Sequence, residues 1–451
     1  MRVRSGTSHV DARAHDREIL RLAGPAFLAL VAEPLFLLAD AAIVGHLGTP
    51  QLAGLGIAGA VVQTAVGLCI FLAYGTTASV ARRVGAGDSR GALAQGIDGI
   101  WLAALIGVAT TVLGLALTGP LVGLFGADPA VTTYAGDYLR WAWLGVTPLL
   151  VVLAATGVLR GLQDTRTPLY VAVAGNLLNV VLNVVLVYGA GLGIAGSAIG
   201  SDLAQLAMAA VLVAVVVRAA RAEGASLRPD LPGVRRSAQA GVPLVIRTLT
   251  LRASLLVMTY GAATLGATSM ATHQLASTIW TFLAFALDAI AIAAQAITGR
   301  YLGAGDTVAT RAATRRMIEW GLLAGVVTGA GLALTSPLLG PLFTSDSEVH
   351  DALWPVLLVA ALFQPVAGIV FVLDGVLIGA GDGRYLAWGG LVVLVVFAPV
   401  ALAVALMLDE ASAGLAWLWV AFGVLFMGGR AAVLLHRARG TAWMTTGATV
   451  R

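Results

Sequence analysis

Arg82-Arg83-Val84-Gly85-Ala86-Gly87-Asp88 returns 218 positions later as Arg300-Tyr301-Leu302-Gly303-Ala304-Gly305-Asp306. The same offset relates Gly161-Leu162-Gln163-Asp164 to Gly379-Ala380-Gly381-Asp382, and Arg166 to Arg384. It also relates Pro25 to Pro243, Leu47-Gly48 to Leu265-Gly266, Phe125 to Phe343, Asp128 to Asp346 and Gly196 to Gly414. One register held over so much chain marks an internal duplication. The question it raises is what each copy is made of.

The answer is lipid-facing helix. Of 451 residues, 59% are apolar and only 11% charged, against about 25% charged in an ordinary soluble domain. The mean hydropathy is +0.91, so most of the surface expects hydrocarbon as its solvent. A crossing needs about 20 apolar residues. Cutting at charged and Gly/Pro punctuation gives spans near 19–45, 51–81, 91–118, 130–160, 166–189, 193–217, 237–263, 269–299, 308–336, 348–378, 384–407 and 412–436. Twelve helices divide evenly into six and six. An even number per copy makes both copies enter from the same side, a parallel repeat about an axis along the membrane normal. The first apolar stretch is full length and follows a polar, arginine-bearing segment, so it is expected to stay as the first membrane helix.

All basic residues are arginine, and they alternate between loops. The N-terminal segment carries Arg2, Arg4, Arg13 and Arg17, and the turn around His46 carries none. Arg82, Arg83 and Arg90 follow, then none at 119–130; Arg160 and Arg166, then none near 189–193. The second copy repeats the alternation, with Arg300, Arg311, Arg315 and Arg316, later Arg384, and an Asp409-Glu410 turn before Arg437 and Arg439. The positive-inside rule places both termini in the cytoplasm, and the expected location is the inner (plasma) membrane. The expected organisation is a cytoplasmic tail at 1–18, an N-lobe at 19–217, an arginine-rich cytoplasmic linker at 218–236, a C-lobe at 237–437 and a cytoplasmic tail at 438–451.

Several classes drop out. The arginines are dispersed, which does not suit nucleic acid. The single Cys69 cannot form a disulfide within the chain. Gly191-Leu192-Gly193-Ile194-Ala195-Gly196 spells G-x-G-x-x-G but lies in a turn between membrane helices with no strand before it. A Walker A site needs lysine, and the chain has none. H-E-x-x-H and a Cys–His pair are missing, which argues against an intramembrane enzyme, and no cofactor is expected.

Acids inside a membrane cost about 2.5–3.5 kcal/mol at a helix centre, so they are functional candidates by default. At about 1.5 Å per residue, Asp40, Asn179, Asn183 and Asp202 fall in one layer of the first copy. Asn176, Asn179 and Asn183 share a helix face. Together these five form a candidate cation-coupling site, against the alternative that they merely pack helices. A lone buried acid is suited to load and release a proton. Hard oxygens leave sodium at Asp40 open.

A second set, Glu33, Arg247, Arg252 and Asp288, is a candidate inter-lobe gate or substrate contact, with Glu33 and Asp288 as counter-ions of the two arginines. A plain structural salt-bridge network is the competing account. Phe282 and Phe285, near Asp288, are candidates to line an apolar cavity, with Trp101, Trp280 and Phe363 behind them. Asp137, Arg140 and Asp98 are expected to pair locally, Asp374 to be structural, and His273 to pack between helices.

Glu33-Pro34-Leu35-Phe36-Leu37-Leu38-Ala39-Asp40 with Val44-Gly45-His46-Leu47-Gly48, the Arg-x-x-Gly-Ala-Gly-Asp loop and Leu159-Arg160-Gly161-Leu162-Gln163-Asp164-Thr165-Arg166-Thr167-Pro168 resemble the multidrug and toxic compound extrusion family. Ala271-Thr272-His273-Gln274 and Leu287-Asp288-Ala289-Ile290-Ala291-Ile292-Ala293-Ala294-Gln295 resemble its DinF-like branch. The resemblance, from about residue 19 to 437, implies a V-shaped pair of six-helix lobes. It implies export of small organic, cationic or amphipathic, drug-like compounds in exchange for protons or sodium, by a monomer rocking between two access states. It further implies a first helix that bends near Pro25, with Pro34 a second breaker, and an ion-responsive acid at Asp40. Many relatives carry aspartate where Asn183 stands and a small hydroxyl where Asp202 stands, which raises a relocation of that acid to the sixth helix. The alternative function is a flippase for a lipid-linked or polysaccharide precursor, which Arg247 and Arg252 keep open.

Overall fold

The computed structural model describes residues 6–344, 346–408 and 411–449. Arg2, Arg4, Asp409 and Glu410, named above, lie outside the described residues. Among the described residues, twelve helices are long and apolar enough to cross a membrane. In chain order they are α1 Arg13–Gly45, α2 Thr49–Gly85, α3 Ser89–Gly123, α4 Pro129–Gly161, α5 Arg166–Gly189 and α6 Gly193–Ala222, then α7 Leu231–Thr264, α8 Ala267–Gly303, α9 Thr307–Phe343, α10 Ser347–Gly379, α11 Gly383–Met407 and α12 Ala413–Arg439. The fold is all-α, as expected from composition and repeat.

The repeated motifs are the turns that end one helix and start the next. Gly87 and Gly305 adopt φ of 76° and 77°, a left-handed conformation that favours glycine. The aspartates that follow cap the next helices: Asp88 accepts from the Gly91 amide at 2.8 Å and Asp306 from the Ala309 amide at 2.8 Å, satisfying donors a helix start leaves open. Gly381 takes φ 76°, and its repeat counterpart Gln163 takes φ 67° without being glycine. The side chain of Gln163 offsets that strain by donating to the Ala296 carbonyl of α8 at 3.1 Å, across the two copies.

Lipid tails give no hydrophobic drive between helices, so close contact depends on small residues. Gly321, Gly325 and Gly329 of α9 run four apart against Gly368, Gln364 and Ala361 of α10. Two large buried cores result, one within each copy. The first helix crosses between them. Ile19, Leu22 and Ala23 are buried in the core of the second copy, whereas the later part of α1 packs against α5.

Several expectations need local revision. α2 is interrupted at Cys69–Ile70, between helical stretches Thr49–Leu68 and Phe71–Gly85. α5 ends in a wider turn at Val185–Gly189 and α12 contains another at Phe422–Gly428. The stretch 218–236 is largely helical, because α6 runs to Ala222 and α7 starts at Leu231. Pro25 and Pro34 both lie inside the unbroken α1. Each withdraws one amide from the helix ladder.

Candidate functional site

Asp40, five residues before the end of α1, is 4% exposed. Its Oδ1 accepts from Asn183 Nδ2 of α5 at 2.9 Å and, closely, from Ser197 Oγ of α6. One turn away along α5, Asn179 Nδ2 donates to Ser201 Oγ at 3.0 Å. Tyr138 of α4 is buried beside this group, within electrostatic range of Asp40 and next to Ser197 and Ser201. Tyr188 closes the end nearest His46, its hydroxyl donating to the Ile43 carbonyl at 2.5 Å. Close approach of α6 depends on Gly200, where a Cβ would strike the Asn183 side-chain oxygen, and on Gly196, which faces the Leu186–Val187 backbone.

Asp40 makes no ion pair among the described residues, and both of its donors are neutral. The side-chain oxygens of Asn179 and Asn183 are buried without a hydrogen-bond donor. A carboxylate and two amide oxygens buried this way, beside two serine hydroxyls, are costly unless a cation or proton joins them. As a donor set they are all hard oxygens, which fit a proton or sodium and disfavour a thiophilic metal.

The geometry thus gathers Asp40, Asn179 and Asn183. It does not gather Asp202 or Asn176. Asp202 is turned toward Gly145 of α4, its carboxylate lying where a Cβ on that glycine would sit. The reason is helical phase: Asp202 follows Ser201 by one residue, about 100° around α6. The relocation of an acid from α5 to α6 is therefore not realised within the Asp40 cluster. Asn176 is half-buried and makes no hydrogen bond among the described residues. The sequence argument missed Ser197, Ser201 and Tyr138. The signal available was the serine pair four residues apart on an apolar helix.

The second set is rearranged more deeply. Arg247 pairs with Asp374 of α10 at 2.6 Å, not with Glu33 or Asp288, and the same Asp374 oxygen also accepts from Arg430 of α12. Asp288 feels the charges of Arg160 and Arg247 but hydrogen-bonds to neither. Arg252 is exposed and lies against Gly67 of α2, without a carboxylate partner among the described residues. Glu33 is exposed and makes no ion pair among the described residues.

Phe282 is exposed and Phe285 half-buried. Trp280 belongs to an aromatic cluster with Trp419 and Phe422 inside the second copy, so it is core and not cavity wall. Trp101 is exposed and donates to the Leu227 carbonyl at 3.2 Å. Arg140 and Asp137 form an exposed pair at 3.4 Å, whereas Asp98 accepts from the Asp230 amide at 2.9 Å. His273 packs on Trp419, between Thr259 and Ser277.

A family model described as MatE matches residues 25–185 and 243–405. Its two matched stretches begin at Pro25 and Pro243, in the repeat register. The chain is 33% identical over 392 residues to Protein DETOXIFICATION 44, chloroplastic, of Arabidopsis thaliana, covering 83% of this chain and 74% of that protein. It is 29% identical over 380 residues to DNA damage-inducible protein F of Escherichia coli strain K12, covering 81% of each. Among solved structures, the bent form of the Vibrio cholerae MATE transporter VcmN superimposes with a TM-score of 0.85 at 21% identity, over 95% of this chain and 98% of that one. A MOP-superfamily transporter from Pyrococcus furiosus, described as having a binding pocket of reverse polarity that suggests a different function, gives 0.85 at 22% identity, over 96% and 97%.

Proposed function

The chain belongs to the MatE family of multidrug and toxic-compound efflux transporters, and on that premise we propose that it exports small organic, cationic or amphipathic compounds by antiport with protons, Asp40 being the residue that carries the coupling ion. The family consists of transporters and not enzymes. The single observation behind the proposal is Asp40 itself, a buried acid in a membrane helix whose partners, Asn183 and Ser197, are both neutral. Such an acid is neutralised by binding a cation, and the proton is the cation that needs no rearrangement of Asn183, Ser197 or Gly200. Sodium is the second coupling ion to test, supported by the buried oxygens of Asn179 and Asn183.

In the proposed cycle the end bearing His46 faces outside and the arginine-rich end faces the cytoplasm. Asp40 takes up a proton from outside. Loss of its charge weakens the bonds from Asn183 and Ser197 and frees the second half of α1, which is otherwise clamped to α5. Because the first half of α1 is packed in the other core, a change in the hold on Asp40 is felt by both copies through one helix. Pro25 and Pro34 supply the weak points of that helix. Moving one charge across 100 mV is worth about 2.3 kcal/mol, so one or two protons per cycle sustain substantial accumulation.

The test is ethidium efflux from proteoliposomes under an imposed pH gradient or an imposed sodium gradient, wild type beside Asp40→Asn. Efflux that follows the pH gradient and is lost in the variant is the expected result. Efflux driven only by sodium keeps the transporter and changes the ion. Wild-type efflux by the variant overturns the role of Asp40. Absence of efflux under both gradients favours the second reading, a flippase for an anionic lipid-linked precursor. Arg252 and the Pyrococcus neighbour's reversed pocket polarity support that reading, although Arg247 is already committed to Asp374.

A further inference from the structure

The internal repeat gives each arginine a counterpart, and one pair of counterparts is treated very differently. Arg300 of α8 is ion-paired with Glu18 at the start of α1. Beside it Arg316 is paired with Asp16 at 2.5 Å, and the Trp320 indole donates to the same carboxylate at 2.8 Å. Two acids of α1 thus neutralise the arginine-rich end of the second copy. In the first copy the counterpart of Arg300 is Arg82, and the position corresponding to Glu18 is Arg236. That position supplies no acid to Arg82, and the counterpart of Arg316 is itself an acid, Asp98. Arg82 is wholly buried and gives its N–H groups to neutral carbonyls instead: Ala380 at 2.9 Å, Gly447 at 3.3 Å and Thr445.

A cavity of about 510 Å³ opens beside Arg82, between α2, α3, α7, α11 and the segment 442–449. Arg82, Arg83, Arg236, Arg384 and Arg437 line it, with Asp382 the one lining acid among the described residues. Asp382 is committed to Arg437 at 2.6 Å, and Arg83 is held by Asp88 at 2.9 Å. Arg236 is only loosely paired, 3.6 Å from Asp230 with both side chains well exposed. Arg82 and Arg384 have no carboxylate partner among the described residues. The cavity therefore keeps a surplus of positive charge beside Arg82, whereas Arg300 is answered by Glu18. Its size is that of a small-ligand site. Planar guanidiniums are suited to phosphate oxygens. Phe71, Leu102, Leu244 and Trp443 give the remaining wall an apolar character.

We propose that this cavity is a second binding site, separate from the Asp40 cluster, for a phosphate-bearing anion with an apolar portion, which supplies the negative charge that Glu18 supplies to Arg300 in the other copy. Arg384 and Arg236 are the residues free to grip the phosphate, while Arg82 fixes the wall formed by Thr445 and Gly447. Both the headgroup of an anionic phospholipid and a soluble organic phosphate have the required chemistry.

Native mass spectrometry of the purified full chain tests this, with phosphatidylglycerol, phosphatidylcholine and inorganic phosphate as probes. The variants are Arg384→Gln and, as the repeat-related control, Arg166→Gln. Saturable retention of one phosphatidylglycerol over phosphatidylcholine, weakened about tenfold by Arg384→Gln and unchanged by Arg166→Gln, is the expected result and assigns a lipid headgroup. Saturable inorganic phosphate binding with the same dependence on Arg384, and no lipid preference, supports the site and assigns a soluble phosphate. Retention that ignores Arg384→Gln, or responds equally to Arg166→Gln, overturns the proposal. So does failure of every probe to bind the wild-type chain.

Discussion

Gly85 and Gly303 occupy the same position in the two copies and face each other: a Cβ on Gly85 would collide with the carbonyl of Arg300, and one on Gly303 with the carbonyl of Arg82. The repeat axis passes through this contact of α2 with α8, so a duplication in sequence becomes a seam in space. Gly85→Ala is expected to force the two helices apart and lower stability by about 1–3 kcal/mol. Gly56→Ala on the same α2 has open space around its Cβ and should leave the melting temperature level or slightly higher. Thermal unfolding in detergent distinguishes them, and equal melting of the two variants would rule out a tight seam.

The Asp374 cluster makes an unequal prediction for its members. Asp374 serves both Arg247 and Arg430, with side-chain exposures of 8%, 12% and 10%. Asp374→Asn leaves two buried guanidiniums without a counter-charge, a loss of about 3–5 kcal/mol. Arg247→Met still leaves the Asp374–Arg430 pair intact and should cost clearly less. A melting series in which the arginine variant is the worse of the two would show that Arg247 does more than answer Asp374.

Much of this was legible beforehand. The spacing of apolar runs gave twelve helices, and the Gly-Ala-Gly-Asp turns gave the repeat, because length and left-handed glycines are properties of the chain itself. Asp40 and Asn183 met because both stand about the same distance from the same end of their helices. Pairing of Arg247 failed because counting residues gives neither azimuth nor the offset between neighbouring helices: Asp374 stands five residues from the end of α10 and Asp288 fifteen from the end of α8, yet Arg247 pairs with Asp374. Asp202 failed for the same cause, turned about 100° from Ser201. Ser197 and Ser201 were overlooked because a serine costs little in a membrane helix and so carries no signal until an acid is found beside it.

Orientation follows from the arginine alternation and has its own check. The native Cys69 is buried, so it contributes little background to thiol labelling. Cysteine placed at His46 should react with a membrane-impermeant maleimide added to intact cells. Cysteine placed at Arg90 should react only after permeabilisation. The reverse pattern would invert the proposed topology and with it the direction of transport.

The sharpest probe of the Asp40 cluster is a residue that never touches Asp40. A methyl group at Gly200 runs into the side-chain oxygen of Asn183, and Asn183 holds Asp40 through its amide nitrogen at 2.9 Å. Gly200→Ala should therefore push the amide off the carboxylate while leaving Asp40, Ser197 and every charge in place. Alanine is a better helix former than glycine by about 1 kcal/mol, which opposes the strain and favours a folded variant. If the hydrogen-bonded geometry around Asp40 governs coupling, gradient-driven ethidium efflux falls at least several-fold while ethidium binding persists. Asn183→Ser, shorter and still a donor, should recover part of the loss when combined with Gly200→Ala. Undiminished efflux in Gly200→Ala would mean that the acid alone matters and that the α5–α6 contact around it is packing.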